Sequence, residues 1–136
     1  MTDADIERVR ESFAHLHRRK GETAALFYAR LFEIDPEIRP LFKGDIAAQG
    51  VKLMEMLTVA IATLRDPGGL TALLNKLGRE HRGYGVEERH YDSVGSALIW
   101  TLRTSLGPAF MPEIERAWTA LYRDIAGTMI AAGRNA

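Results

Sequence analysis

Cysteine is absent from this 136-residue chain, which removes disulfides, zinc–thiolate sites and thiol nucleophiles from consideration. An excess of charge of either sign is also missing. Eighteen basic residues stand against 18 acidic ones, for a formal net charge of zero. That excludes recognition of nucleic acid through a basic footprint, and a polybasic membrane anchor. No apolar run approaches the ~18 residues of a membrane span. The opening "MTDADIERVR" has no signal-peptide pattern, so the expected location is the cytoplasm. There is no phosphate-binding glycine loop: "GYG" at 83–85 follows no strand and lacks a Lys-Ser/Thr partner. No serine sits in a nucleophile-elbow context. No histidine pair at i, i+4 marks a two-histidine metal helix. His15 and His17 are two apart, on different sides of a helix, and read as surface.

What is present is helical periodicity. Apolar residues make up 46% of the chain and charged ones 26%, the balance of a globular protein. A chain of this length buries roughly 70% of its unfolded surface, so one core suffices and residues 1–136 are expected to form a single domain. No segment alternates with period two, and there is no internal repeat. Ile6, Val9, Phe13 and Leu16 form a first stripe, opened by Thr2 or Asp3 as N-cap. Gly21 is expected to divide it from a second helix carrying Ala24, Phe27, Leu31 and Ile34. Asp35-Pro36 opens a short helix limited by Pro40. After Gly44-Asp45 comes the stripe Gln49, Leu53, Met56, Leu57, Ala60, Leu64. Asp66-Pro67-Gly68-Gly69 is expected to be a loop. Leu70, Leu73, Leu74, Leu77 and His81 then share a face. A helix should run from about Glu87 to Leu106, stopped by Gly107-Pro108, and Pro112 opens the last one, with Ile114, Trp118, Leu121, Ile125 and Met129 inward. The expected class is all-α, with six or seven helices and no coiled-coil seam.

Three polar groups are attached to apolar faces. His81 ends an all-leucine stripe, and on that pattern alone it reads as a boundary histidine before it reads as a ligand. Gln49 begins a bulky apolar stripe, where an unpaired amide costs ~1–3 kcal/mol to bury. Tyr28 follows Phe27 in a very apolar helix and needs a partner for its hydroxyl.

Taken together, "LFYARLFEIDPEIRPLF" (26–42), "QGVKLMEMLTVAI" (49–61), "LGREHRGYGVEERHYDSVGSALI" (77–99) and "AWTALY" (117–122) resemble the globin family over nearly the whole chain, in particular single-domain bacterial haemoglobins and the haem domain of flavohaemoglobins. The resemblance implies a globin fold enclosing a haem pocket, with haem b (iron protoporphyrin IX) as cofactor. His81 matches the proximal iron ligand, with the Leu77 carbonyl expected to orient its ring. Phe42 matches the phenylalanine packed on the porphyrin. Tyr28 and Gln49 match the distal hydrogen-bonding pair, and Leu53 the apolar residue beside them. Lys52 matches a haem-edge position suited to a propionate. Val86, Tyr91 and Val94 match the proximal lining.

The implied function is reversible, high-affinity dioxygen binding as carrier, store or scavenger, with nitric oxide and carbon monoxide as further ligands. Neither Tyr28 nor Gln49 is a good ferrous ligand, so a five-coordinate gas-free state is expected. The alternative is a nitric oxide dioxygenase or nitrite reductase. The sequence carries no flavin or NAD module, so that chemistry is expected to draw electrons from a separate reductase. Gly133 stands where flavohaemoglobins place a glutamate beside the proximal histidine. Its absence weakens the case for peroxidase-like chemistry. Apolar helix faces are compatible with a monomer or a homodimer.

Overall fold

Thr2 starts the first helix with a reciprocal cap: its hydroxyl accepts from the Asp5 amide, and the Asp5 carboxylate accepts from the Thr2 amide, both at 3.1 Å. The computed structural model describes residues 1–135. These form six α-helices: α1 (Asp3–His17), α2 (Lys20–Ile34), α3 (Ile46–Ala62), α4 (Pro67–Gly83), α5 (Glu88–Leu106) and α6 (Pro112–Arg134). Short 3-10 helices cover Pro36–Leu41 and Gly107–Ala109. No strand occurs among the described residues, so the all-α expectation holds.

Two expected breaks lie elsewhere. Gly21 sits inside the first turn of α2; the chain turns at Arg18 and Arg19 instead, where the Thr23 hydroxyl donates back to the Leu16 carbonyl. Asp66 to Gly69 is a helix start, not a loop. Asp66 caps α4 by accepting from the Gly69 amide at 3.1 Å, and Pro67 takes the first helical position. In both cases glycine occupies a first turn, where amides have no intrahelical partner to lose.

The main core joins Val9, Phe13 and Leu16 of α1, Met54 and Ile61 of α3, Leu102 of α5, and Trp118 and Leu121 of α6. Trp118 is 1% exposed. Its indole N–H donates to the Ser12 hydroxyl at 2.8 Å, and that hydroxyl donates onward to the Arg8 carbonyl at 2.6 Å, so no polar atom is stranded there. The other tryptophan, Trp100, is half-buried beneath the guanidinium of Arg30, 5.2 Å from its ring centre.

Helix approach is set by small residues. A Cβ on Gly78 of α4 would lie 2.3 Å from the Met129 carbonyl oxygen of α6. A Cβ on Gly50 of α3 would lie 2.8 Å from the Ala24 Cβ of α2. Accordingly α4 lies along α6 and α3 along α2, while α3 and α4 do not pack along one another. Helix α5 meets both, through Tyr91 against His81 of α4 and Val94 in the cluster that holds Leu53 of α3.

The α3 stripe read from sequence divides into two sides. Met54, Ala60 and Ile61 are buried, Leu53 and Leu57 are half-buried, and Met56 and Val59 are exposed. Leu64 lies beyond the helix end. Of the α4 stripe, Leu74 is buried with Gly78, whereas Leu70, Leu73, Leu77 and His81 form a half-buried row. Leu70, Leu73 and Leu77 join neither core cluster.

Candidate haem-binding cleft

One group of the expected residues is built by the end of α4. His81 Nδ1 lies 2.7 Å from the Leu77 carbonyl oxygen, one turn earlier. A carbonyl only accepts, so Nδ1 carries the proton and donates, leaving the Nε2 lone pair free. This is the acceptor the sequence suggested. Burial, more than any neighbour, holds the imidazole's affinity for a proton below the ordinary value; the Leu77 carbonyl and Glu80 pull weakly the other way. A neutral ring with a free Nε2 is the form that ligates a metal. Tyr91 of α5 lies nearly parallel to His81, with ring centres 6.5 Å apart. After His81 the helix closes on Tyr84, and Gly85 takes φ +89°, a conformation that favours glycine. The Val86 amide then donates back to the His81 carbonyl at 3.0 Å. Val86 is half-buried.

This arrangement fixes a pH dependence. In the unfolded chain His81 titrates near its ordinary value of about 6.5; in the folded chain it titrates lower. Above about pH 6.5 both states are neutral and the group costs nothing. Below that, the unfolded chain takes up the proton first, so stability falls as pH drops from about 6.5 towards the lowered folded value. In ligand-free protein His81→Phe should flatten this fall. Urea midpoints that drop as steeply in the variant as in the parent between about pH 6.5 and 5 would remove His81 as its cause.

The other group is built by α2, the 3-10 corner and α3. Tyr28 is 5% exposed, and burial pushes its phenol up to about 12, so the hydroxyl keeps its proton. It donates to the main-chain carbonyl of Gln49 at 3.4 Å, an approach that depends on Gly50 lying against α2. The Gln49 amide nitrogen lies 3.5 Å from the Lys43 carbonyl oxygen. Both bonds are at the long edge of the normal range, so both donors are weakly engaged. Phe42 meets Tyr28 edge-on at 5.3 Å, and Phe32 lies against both rings. Arg39 covers Phe32 and donates to the Phe42 carbonyl at 2.7 Å. Leu53 and Val94 pack on the same apolar cluster. Lys52 is exposed and makes no ion pair among the described residues.

Helix α5 joins the two sides. Tyr91 faces His81, while Val94 and Leu98, one and two turns on, pack in the Tyr28–Phe42–Leu53 cluster. The expected residues therefore fall into two groups on a common floor.

Sequence reasoning did not single out Phe32, Leu41 or Ile46, which complete the distal cluster. Leu41 adjoins Phe42 and Ile46 opens α3, which was their signal; Phe32 had none short of the fold. It also passed over His90, which is 2% exposed and accepts the Glu87 amide at 2.8 Å through Nδ1; the Glu-x-x-His spacing at a helix start was the available sign.

Gly133 lies over Gly78 and Arg82, as far as 3.4 Å from each for a built Cβ. It borders a notch with Tyr91 and Met129, where the one carboxylate, that of Glu88, is paired with Arg134.

The globin family model matches residues 25–129. Neuroglobin from Chaenocephalus aceratus is 29% identical over 143 aligned residues, covering 95% of this chain and 90% of that protein. Neuroglobin from Danio rerio matches to the same extent. A hexacoordinated haem protein from an anhydrobiotic tardigrade, solved at pH 4, superposes with a TM-score of 0.88 at 18% identity, over 98% of this chain and 96% of that one. The last is a likeness of fold. The family match spans 105 of the 136 residues, from 25 to 129, and takes in every candidate site residue from Tyr28 to Val94: the chain belongs to the globin family.

Proposed function

We propose that this chain, as a single domain, holds haem b in the cleft between α3 and α4, with His81 as proximal ligand, and reversibly binds dioxygen with high affinity. The observation that carries this reading is the His81–Leu77 bond, which leaves a neutral imidazole with a free Nε2 at the end of a half-buried leucine row. A flat apolar group fits the donor set. Leu70, Leu73 and Leu77 have no core partner, and completing the burial of each contributes on the order of 1 kcal/mol. Exposed Lys52 is the cation at hand for a propionate. When bound, haem supplies a ferrous iron that takes a diatomic gas, dioxygen here, with carbon monoxide and nitric oxide as further ligands.

Phe42, Leu53 and Val94 exclude water from the distal side. Tyr28 and Gln49 supply the hydrogen bonds. Dioxygen polarised towards negative charge is a better acceptor than the carbonyls these donors now meet at 3.4 and 3.5 Å, and trading such long bonds costs little. Each donor contributes roughly 0.5–1.5 kcal/mol net. Tyr28→Phe should therefore speed oxygen release up to about tenfold while association changes little. Stopped-flow release at the parent rate would remove Tyr28 from the site.

The other histidines, His15, His17 and His90, belong to neither group framing the cleft. His15 and His17 are exposed on α1, and His90 caps the start of α5. No side chain is thus expected to take the sixth position in the ferrous, gas-free protein, unlike the hexacoordinated tardigrade relative. A visible spectrum of purified protein tests the reading: a Soret band with high-spin ferrous features supports it, and failure to take up haem overturns it. The same pair of donors also suits nitric oxide dioxygenation with an external reductase, which nitric oxide consumption in the presence of that reductase would reveal.

A further inference from the structure

A second concavity shares no lining residue with the candidate haem site. The α1–α2 corner and the C-terminal end of α5 enclose a groove of about 470 Å³, within the size range of small-molecule sites. His15, Arg18 and Arg19 line it from the α1–α2 corner, and Thr104 and Ser105 line it from α5. Leu26 and Leu106 supply apolar surface. Neither arginine makes an ion pair among the described residues, nor do the two hydroxyls make a hydrogen bond to protein there. Leu26 is one of the few large apolar side chains left exposed, at 36%. The arrangement pairs unspent cations with an uncovered apolar surface.

We propose that this groove binds a medium-chain aliphatic carboxylate, its head group held by Arg18 and Arg19 and its chain laid on Leu26 and Leu106. The ligand class follows from the lining. Guanidinium groups match carboxylate geometry. Glu22 also lines the groove, so two arginines face one carboxylate, a balance that suits a monoanion better than a phosphate carrying two charges. No Phe, Tyr or Trp lines it, so a nucleobase would find only the His15 imidazole to stack on. The apolar surface gives a bare inorganic anion nothing to gain. Leu26 lies two residues from Tyr28, about 200° round α2, so the groove and the haem cleft use opposite sides of the helix. The proposal stands or falls independently of haem binding.

The test is a titration of the isotope-labelled full-length chain by two-dimensional NMR, with octanoate, acetate and octanol as separate arms. Octanoate should give saturable shifts at Arg19, Leu26 and Ser105, with a dissociation constant on the order of 10⁻⁴–10⁻³ M. Acetate, which lacks the chain, and octanol, which lacks the charge, should each bind at least about tenfold more weakly. The double variant Arg18→Gln/Arg19→Gln, with helicity checked by circular dichroism, should lose at least about tenfold in octanoate affinity, and Leu26→Gln should lose a comparable factor. The proposal is overturned by octanol binding as well as octanoate, by undiminished binding to the double variant, or by shifts confined to Leu53 and Leu77. Association with anionic phospholipid vesicles in the absence of octanoate binding would likewise overturn it, in favour of a membrane contact.

Discussion

His81→Gly is expected to abolish stable haem retention and to leave the fold intact. The side chain is half-buried and contributes one internal hydrogen bond, to Leu77, so its loss costs the ligand-free protein little. The ligand bond has no substitute, because the chain's other three histidines lie outside the cleft groups. Haem loss should accelerate by at least about 100-fold, beyond the 10–100-fold typical of disturbing a residue that merely supports a ligand. Added imidazole should enter the space vacated and restore the Soret band, since its nitrogen presents the same neutral donor. Loss of the band without rescue, together with unchanged circular dichroism, would point to another ligand. A band retained in full would refute the proximal assignment.

Gly78→Ala should produce the largest change in stability. Alanine ordinarily favours a helix interior by about 1 kcal/mol over glycine, and Gly127 of α6, which is exposed with open space around it, should show that gain. At Gly78 the added methyl meets the Met129 carbonyl oxygen at 2.3 Å and its Cα at 2.7 Å. Main chain does not swing aside as a flexible side chain does, so α4 and α6 must separate. The expected loss is ~3 kcal/mol, the upper end for overpacking, or about 10 °C in Tm for a chain of this length. Because Gly78 lies less than one turn before His81, the same displacement should disturb haem binding. Thermal melts of the two variants check the sign. Equal effects at Gly78 and Gly127 would refute the close approach of the two helices.

Most of the fold was legible, because caps and stripes act locally. Thr2, Pro112 and the Glu87–Leu106 span stand where the sequence puts them. Gly21 and Gly68–Gly69 misled because glycine signals a break only where it would cost a hydrogen bond; in a first turn it costs none. The stripes of α3 and α4 each merged two sides, since apolar spacing does not say which leucines meet protein and which meet a cleft. Only packing against α2 and α6 separates Leu74 from Leu73. The site was less legible. His81 and its Leu77 acceptor follow from one turn of helix, but the pairing of Tyr28 with Gln49 runs through a main-chain carbonyl, which no side-chain pattern encodes. Their apolar faces brought His81, Gln49 and Tyr28 to notice, the resemblance gave them roles, and the aromatic wall of Phe32 beside Phe42 required the fold.

The bond from Trp118 to Ser12 also makes the molecule its own optical reporter. An indole that is 1% exposed and hydrogen-bonded inside the core emits from a dry, fixed environment, while Trp100, half-buried under Arg30, meets solvent. The two should differ in colour and in access to a soluble quencher. Emission from Trp118 then follows the cohesion of α1 with α6, and emission from Trp100 follows the surface of α5. A porphyrin seated in the cleft would darken both by energy transfer, so loading and folding can be followed in one cuvette without any label.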